Sequence, residues 1–430
     1  MALRTVGCVH SRSGFRFWRL DLWSLDFKIV MTILLIIYRS LRQHALSTIV
    51  TACSLALAAG LLMTVWVVKT QSQQTFTQTT AGFDAVLGAR GSKLQLVLNA
   101  IFHLEASPGN VAWSDYEQIK KHPAVKTAIP IAVGDNFRGW RIVGTVPELF
   151  TEVEFSTGKK HALVAGRFFD ATKNEAVVGS FATQQLGWKV GEKFHPSHGL
   201  AYAEDHAHEE EYTVVGVLAP TNTPADRVIW TPLEGVQTMS GHNPAAATEV
   251  SAVLIQLRAP TAGFMLDMMY NKQGNRLTFA YPVGAVVGEL FSKIGWFDRV
   301  LALVAYLVAL VAAGSVLASI YASMNSRRRD IAILRSLGAH RRTVFGVVVG
   351  EAAVIGGLGA AGGFLVYAGL LTAVAQVIRA QTGVVLDLAT WQPVLWICPL
   401  AMVVLAALGG VVPAIKAYRV PVAETLAPVS

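Results

Sequence analysis

The chain of 430 residues is 53% hydrophobic and only 15% charged, with a mean hydropathy of +0.45, which excludes an ordinary soluble enzyme and points to an integral membrane protein. Its formal net charge of +8 would suit nucleic acid, but the charge is unevenly spread: residues 1–46 carry seven basic against two acidic residues, residues 325–343 six against one, and residues 69–297 nineteen against twenty-one. Basic excess confined to the flanks of apolar runs is a mark of membrane topology, and nucleic acid is excluded as a partner.

Residues 1–30 hold no apolar core of the signal-peptide kind; Phe15, Phe17, Trp18, Trp23 and Phe27 are interleaved with arginine. Two readings stay open for them: an interfacial amphipathic segment, or an extension upstream of a start at Met31. From Met31 the text MTILLIIYRSLRQHALST predicts an interfacial helix, with Arg39, Arg42 and His44 ahead of the first span. The uncharged run 46–68 is 23 residues long. A helix needs about 20 to cross a hydrocarbon core of roughly 30 Å, so this run reads as an uncleaved signal anchor. The Gln- and Thr-rich residues 69–80 predict a helical stalk.

The polar stretch 69–297 is too long for a loop and long enough to bury its own core. Clusters of β-branched and aromatic residues predict strands at 140–146, 176–178, 212–217, 227–230 and 251–257. Helices are expected at 92–102, 114–121, 180–186 and 261–269, and a further helix at 285–297 leads into the second span. The domain is therefore expected to be α+β, of two subdomains. It contains no cysteine, since Cys8 lies in the N-terminal tail and Cys53 and Cys398 lie in apolar runs, so no disulfide holds it. Within it His195, His198, His206 and His208 fall in fourteen residues, beside Glu204, Asp205 and Glu209 to Glu211. Neutral imidazoles and carboxylates are suitable ligands for Zn²⁺, so a zinc-class site in this loop is one reading. A solvated acidic loop with incidental histidines is the other. The spacing lacks the H-E-x-x-H of a zinc protease.

Uncharged runs at 300–326, 352–378 and 388–415 supply three further spans. The positive-inside rule puts the N-terminal tail and the loop 325–343 in the cytoplasm and the large domain outside; four crossings return Lys416 and Arg419 to the cytoplasm. The third span is crowded with Gly346, Gly350, Gly356, Gly357, Gly359, Gly362 and Gly363, which predicts close helix packing rather than a passage lined by backbone. Interior charges and inverted repeats of the ion-coupled kind are missing from the spans.

Residues 326–351 read SRRRDIAILRSLGAHRRTVFGVVVGE. Ile331, Leu334 and Leu337 recur every three residues, an apolar stripe on a short basic helix that Gly338 is placed to end. A helix of this kind, tethered between two spans, is suited to docking on a cytoplasmic partner; a solvated positive-inside loop is the competing reading. Glu351 reads as a carboxylate near the start of the third span, favoured by the helix dipole and by Arg341 or Arg342, with a proton relay as the alternative. No G-x-x-x-x-G-K-[ST] occurs, the nearest approach being Gly88 to Lys93, so ATP hydrolysis and enzymatic activity are not expected of this chain by itself.

With its basic run, acidic residue, Ile-x-x-Leu-Arg-x-Leu-Gly helix and membrane-entry glutamate, this segment resembles the signature of the MacB/FtsX-like ABC transporter permeases, LolC/E among them. The matching positions are Arg327, Arg328, Arg329, Asp330, Ile331, Leu334, Arg335, Leu337, Gly338 and Glu351, and docking on the ATPase would fall to those from Arg328 to Gly338. Pro413-Ala414 and the run from Tyr418 to Leu426 are similar to the family's C-terminal ending. The resemblance implies a membrane α-helical fold of four helices, one plus three, around a large extracytoplasmic MacB-like domain. Its division would be 1–45 tail and interfacial helix, 46–68 first span, 69–297 outer domain, 298–324 second span, 325–343 coupling loop, 344–378 third span, 379–387 short outer loop, 388–415 fourth span and 416–430 cytoplasmic tail. It further implies ATP and Mg²⁺ on a separate ABC ATPase present in two copies, a second permease copy in a homo- or heterodimer, and an inner-membrane location. Three functions follow: ATP-driven export or envelope transport, to which the size of the outer domain leans; FtsX-like mechanotransmission to a periplasmic partner; or a membrane-anchored metal sensor linked to zinc homeostasis.

Overall fold

The computed structural model describes residues 31–199, 208–240, 247–326, 328–386 and 391–418. It divides into two compact units, one of residues 1–67, 300–370 and 391–430, the other of residues 68–299 and 371–390.

Lipid offers backbone N–H and C=O groups no partners, so a chain that crosses it through apolar runs does so as helix. Among the described residues four helices are long and apolar enough to cross: Ala45–Gln78, Val283–Ser326, Arg341–Thr382 and Val394–Tyr418. Residues 31–43 form a further helix ahead of the first, and Arg328–Ser336 a short one between the second and third. The long helices overrun the uncharged runs. Stalk and span are one helix in Ala45–Gln78 and again in Val283–Ser326, because the polar residues that end a hydrophobic run do not by themselves end a helix.

Inside the first unit, small residues set the packing. A Cβ built on Gly359 would stand 2.4 Å from Leu55 Cβ, one on Gly363 2.8 Å from Ala59 Cβ, and one on Gly60 2.6 Å from Val366 Cβ. The first and third spans thus approach along a seam with no room for a side chain, as small-residue faces allow in lipid. A Cβ on Gly410 would meet that of Ala352 at 2.6 Å, and one on Gly356 that of Ala406 at 2.7 Å, so the fourth span packs on the third in the same way. Ser47 and Ser319 hydroxyls lie 2.7 Å apart and tie the first span to the second.

The second unit is built on one mixed sheet of eleven strands. Its main path runs Leu277–Ala280, Ala85–Ala89, Ala252–Leu257, Val125–Phe137, Trp140–Thr145, Ile229–Pro232, Glu175–Val178, Tyr212–Leu218 and Leu163–Gly166. Two pairs on this path are parallel, Ile229–Pro232 with Trp140–Thr145 and Tyr212–Leu218 with Glu175–Val178. Side chains alternate across a strand, and here both faces are buried. Val86, Leu254, Ile129, Val143, Val177 and Trp230 enter one core, while Leu87, Ile255, Ala128, Ile142, Val178 and Ile229 enter the other. Helix Lys93–Ala100, capped by the Ser92 hydroxyl, covers the first face through Leu96 and Val97; helices Trp113–Lys120 and Pro260–Tyr270 cover the second through Ile119 and Leu266. One continuous sheet carries a core on each face, and the expected division into two subdomains does not show in it. The expected strand 227–230 also shifts: Pro224–Arg227 is a 3-10 turn and the strand is Ile229–Pro232.

Helix ends join this unit. Phe76 stacks on Phe102 at 5.5 Å and meets Phe291 at 5.9 Å, and a Cβ on Gly284 would fall 2.3 Å from the Thr77 carbonyl oxygen. Val283, Val286, Val287 and Val384 are buried in the first core. The Arg227 guanidinium donates to the Gln381 carbonyl, and that of Arg379 lies 5.2 Å from the centre of the Phe181 ring.

Two outcomes follow from these contacts. Gly359→Leu overpacks the seam and is expected to destabilise the membrane unit by about 1–3 kcal/mol or more, whereas Gly357→Leu, whose Cβ meets nothing within 4 Å, serves as its control. Melting of the detergent-solubilised protein reads the difference, and equal melting temperatures for the two variants would contradict the seam. His161 is buried between the Phe150 and Phe155 rings, and burial pushes its imidazole down from 6.5 to about 4. Unfolded chain takes up a proton that the folded domain refuses, so stability is lost as pH falls from 6.5 towards about 4. His161→Phe is expected to make that loss shallower in fluorescence melts taken across the window; an equally steep loss would count against it.

Candidate functional site

Three groups of side chains are candidates for function, two in the first unit and one in the second. Helix Arg328–Ser336 is closed by Gly338, whose φ of +99° is left-handed. The Leu337 and Gly338 amides donate to the carbonyls of Ile333 and Arg335 at 3.0 and 3.1 Å. Glycine takes that conformation without a Cβ penalty, so the residue placed to end the helix does so. The stripe is arranged differently from the expectation. A three-residue step on an α-helix falls short of a turn by about 60°, so Ile331 and Leu337 point roughly 120° apart. Ile331 and Ala332 are buried, while Leu337 is 80% exposed just beyond the helix, with Ile333 and Arg329 also facing out. Arg335 is half-buried. Arg328, Asp330 and Leu334 are helical in backbone, and their side chains lie outside the described residues.

Glu351 is 7% exposed and accepts a hydrogen bond of 2.5 Å from the Ser40 hydroxyl of helix 31–43. It lines a cavity of 320 Å³ with His44, Ser47, Thr48, Ser319 and Ser323. The expected place near the helix start is corrected: the helix begins at Arg341, nearly three turns earlier, beyond the first turn in which the dipole acts. Ser40 escaped sequence reading because 311 positions separate the two residues.

In the outer unit the four histidines do not converge as one set. His195 is exposed, with Nδ1 3.2 Å from the Glu210 carbonyl oxygen, and His206 lies outside the described residues. His198 and His208 instead meet Asp135, which sequence reading did not single out; one donor atom from each lies within 4.8 Å of the others. The placement follows from the sheet. In strand Val125–Phe137 the register with Trp140–Thr145 shifts between Val133 and Asp135, leaving Gly134 as the extra residue of a bulge. Bulges re-aim side chains, and here Asp135 is turned to face the short strand Ser197–His198, its antiparallel partner. Asn136 then holds that strand, its amide donating to the carbonyls of Ser197 and Gly199 at 3.3 and 2.9 Å. His208 returns to the same place through its own amide, which donates to the Pro196 carbonyl at 2.8 Å. His198 Nδ1 and His208 Nε2 stand 3.3 and 3.2 Å from the same oxygen, Asp135 Oδ1. Asp-Asn inside an otherwise apolar run was the available sequence signal.

Comparison with known proteins places both halves of the chain. The FtsX-like permease C-terminal family model matches residues 302–422, and the MacB-like periplasmic core domain model matches residues 48–263, half of the chain. Among solved structures the chain is similar to the periplasmic region of MacB from Actinobacillus actinomycetemcomitans, at 10% identity over 50% of this chain and 96% of that one, with a TM-score of 0.34. It is also similar to the extracellular domain of the noncanonic ABC-type transporter YknZ from Gram-positive bacteria, at 15% identity over 45% and 97%, with a TM-score of 0.28. No curated protein matches it.

Proposed function

Because this chain belongs to the MacB/FtsX-like family of ABC transporter permeases, a multi-pass inner-membrane protein with its large domain outside the cytoplasm, we propose that it couples a separate ATPase to movement of that domain. The observation that carries the reading is the capped helix Arg328–Ser336, which lies inside the FtsX-like match and ends on the outward-facing Leu337. An exposed apolar side chain on a short helix flanked by Arg329, Arg335, Arg341 and Arg342 suits a groove on a cytoplasmic ATPase with apolar floor and acidic rim. The chain carries no phosphate-binding loop of the Walker kind in its sequence, so ATP and Mg²⁺ belong to the partner.

Helices Val283–Ser326 and Arg341–Thr382 flank the docking segment on either side. Closure of two ATPases on ATP would shift the segment, and a rigid helix passes such a displacement along its length. Four helices do not enclose a conduit, so the working assembly is two permeases, identical or related, over two ATPases. Export or envelope transport of a substrate is the form of work that the family suggests; transmission of motion to an outer partner uses the same parts and differs in what leaves the complex.

Replacing Leu337 with Asp puts a charge where the groove offers apolar surface. Co-purification of the ATPase with the detergent-extracted Leu337→Asp variant is expected to fall at least tenfold, while membrane insertion and yield stay at the level of the parent. Undiminished co-purification would refute the docking assignment.

A further inference from the structure

We propose that Asp135, His198 and His208 form a binding site for a divalent metal cation of the zinc class in the outer domain, independent of the ATPase coupling. The argument begins with proton positions. The Ser240 carbonyl oxygen lies 2.6 Å from His208 Nδ1, and since a carbonyl only accepts, Nδ1 carries the proton. In neutral His208 the lone pair of Nε2 therefore faces Asp135 Oδ1, a second acceptor, at 3.2 Å. Two acceptors at that distance require something positive between them: a proton, held by Nε2 or by the carboxyl, or a metal ion.

The geometry favours the ion. In a tetrahedral zinc site with ligand bonds near 2.0–2.1 Å, neighbouring ligand atoms stand about 3.3 Å apart. Two of the three edges, 3.2 Å from His208 Nε2 and 3.3 Å from His198 Nδ1 to Asp135 Oδ1, have this length. Charged hydrogen bonds from imidazole to carboxylate centre on about 2.7–2.9 Å and N–H···O bonds in general extend to about 3.2 Å, so these edges lie at the long end for a single proton. The contacts behind the donors have the form of a metal site as well. A ligating histidine ordinarily gives its other N–H to a backbone carbonyl, which fixes tautomer and ring orientation. Here Ser240 is that carbonyl, and Glu210 holds Ser240 in turn, accepting from its amide and its hydroxyl at 2.8 Å each.

Ligand types narrow the cation. Two imidazoles with one carboxylate suit Zn²⁺, Co²⁺, Ni²⁺ or Cu²⁺, whereas Mg²⁺ and Ca²⁺ take oxygen sets. Asp135 is fully buried and the His208 side chain nearly so, while 59% of the His198 side chain is exposed. The site is thus anchored on one side and reaches the surface on the other through His198.

The test uses the full chain in detergent, stripped with EDTA and titrated with Zn²⁺ in competition with a chromogenic chelator. One equivalent is expected to bind. His198→Ala removes an exposed ligand on which the core does not rest and is expected to weaken binding at least thirtyfold; His208→Gln does the same. His195→Ala is expected to stay within twofold of the parent. Co²⁺ in place of Zn²⁺ is expected to give the visible bands of a tetrahedral site, lost in His198→Ala. No stoichiometric Zn²⁺ in the parent protein, unchanged affinity in both His198→Ala and His208→Gln, or an equal loss in His195→Ala would each overturn the proposal. A folded parent that binds nothing would leave the proton as the charge between His208 and Asp135.

Discussion

Between the first and third spans there is no space for any side chain larger than hydrogen at Gly60, Gly359 and Gly363. Lipid tails are as apolar as leucine, so helices in a bilayer gain little from hiding greasy surface and associate through close backbone approach instead. That contact, repeated between the third and fourth spans at Gly356 and Gly410, makes the third span the common partner of its neighbours. It also constrains what surrounds Glu351. A carboxylate 7% exposed on this helix needs hydrogen bonds from inside the bundle, and Ser40 supplies one.

The outer domain obeys the opposite rule. Water drives it to bury both faces of one sheet, which explains what the sequence disclosed and what it hid. Helices Trp113–Lys120, Ser180–Leu186 and Pro260–Tyr270, along with strands Trp140–Thr145 and Tyr212–Leu218, sit between turn signals and could be read to within a residue or two. Strand Val125–Phe137, thirteen residues long and central to the sheet, left no such trace. With both faces buried it has no polar-apolar alternation, and Pro130, Gly134, Asp135 and Asn136 read as loop residues.

The candidate sites show the same division between local and distant information. Gly338 ending its helix is a local fact, and its position foretold it. The direction of Ile331, turned inward while Leu337 faces out, depends on the rest of the bundle and on where the helix stops. A histidine cluster is visible in any sequence, but Asp135 joins it across 63 positions through a bulge that only the paired strands reveal. The glycines crowding the third span announced close packing; which neighbour each one faces was beyond the sequence.

The proposed coupling requires that motion of the segment 325–351 be carried along the long helices, Val283–Ser326 foremost among them. Amide hydrogen exchange on the reconstituted complex of this chain with its ATPase, compared between the nucleotide-free state and ATP with vanadate, tests that account most directly. Protection is expected to change in the docking segment 325–351 and also in the outer helix ends 68–78 and 283–299. Changes confined to 325–351, with the outer segments identical in both states of an active complex, would contradict it.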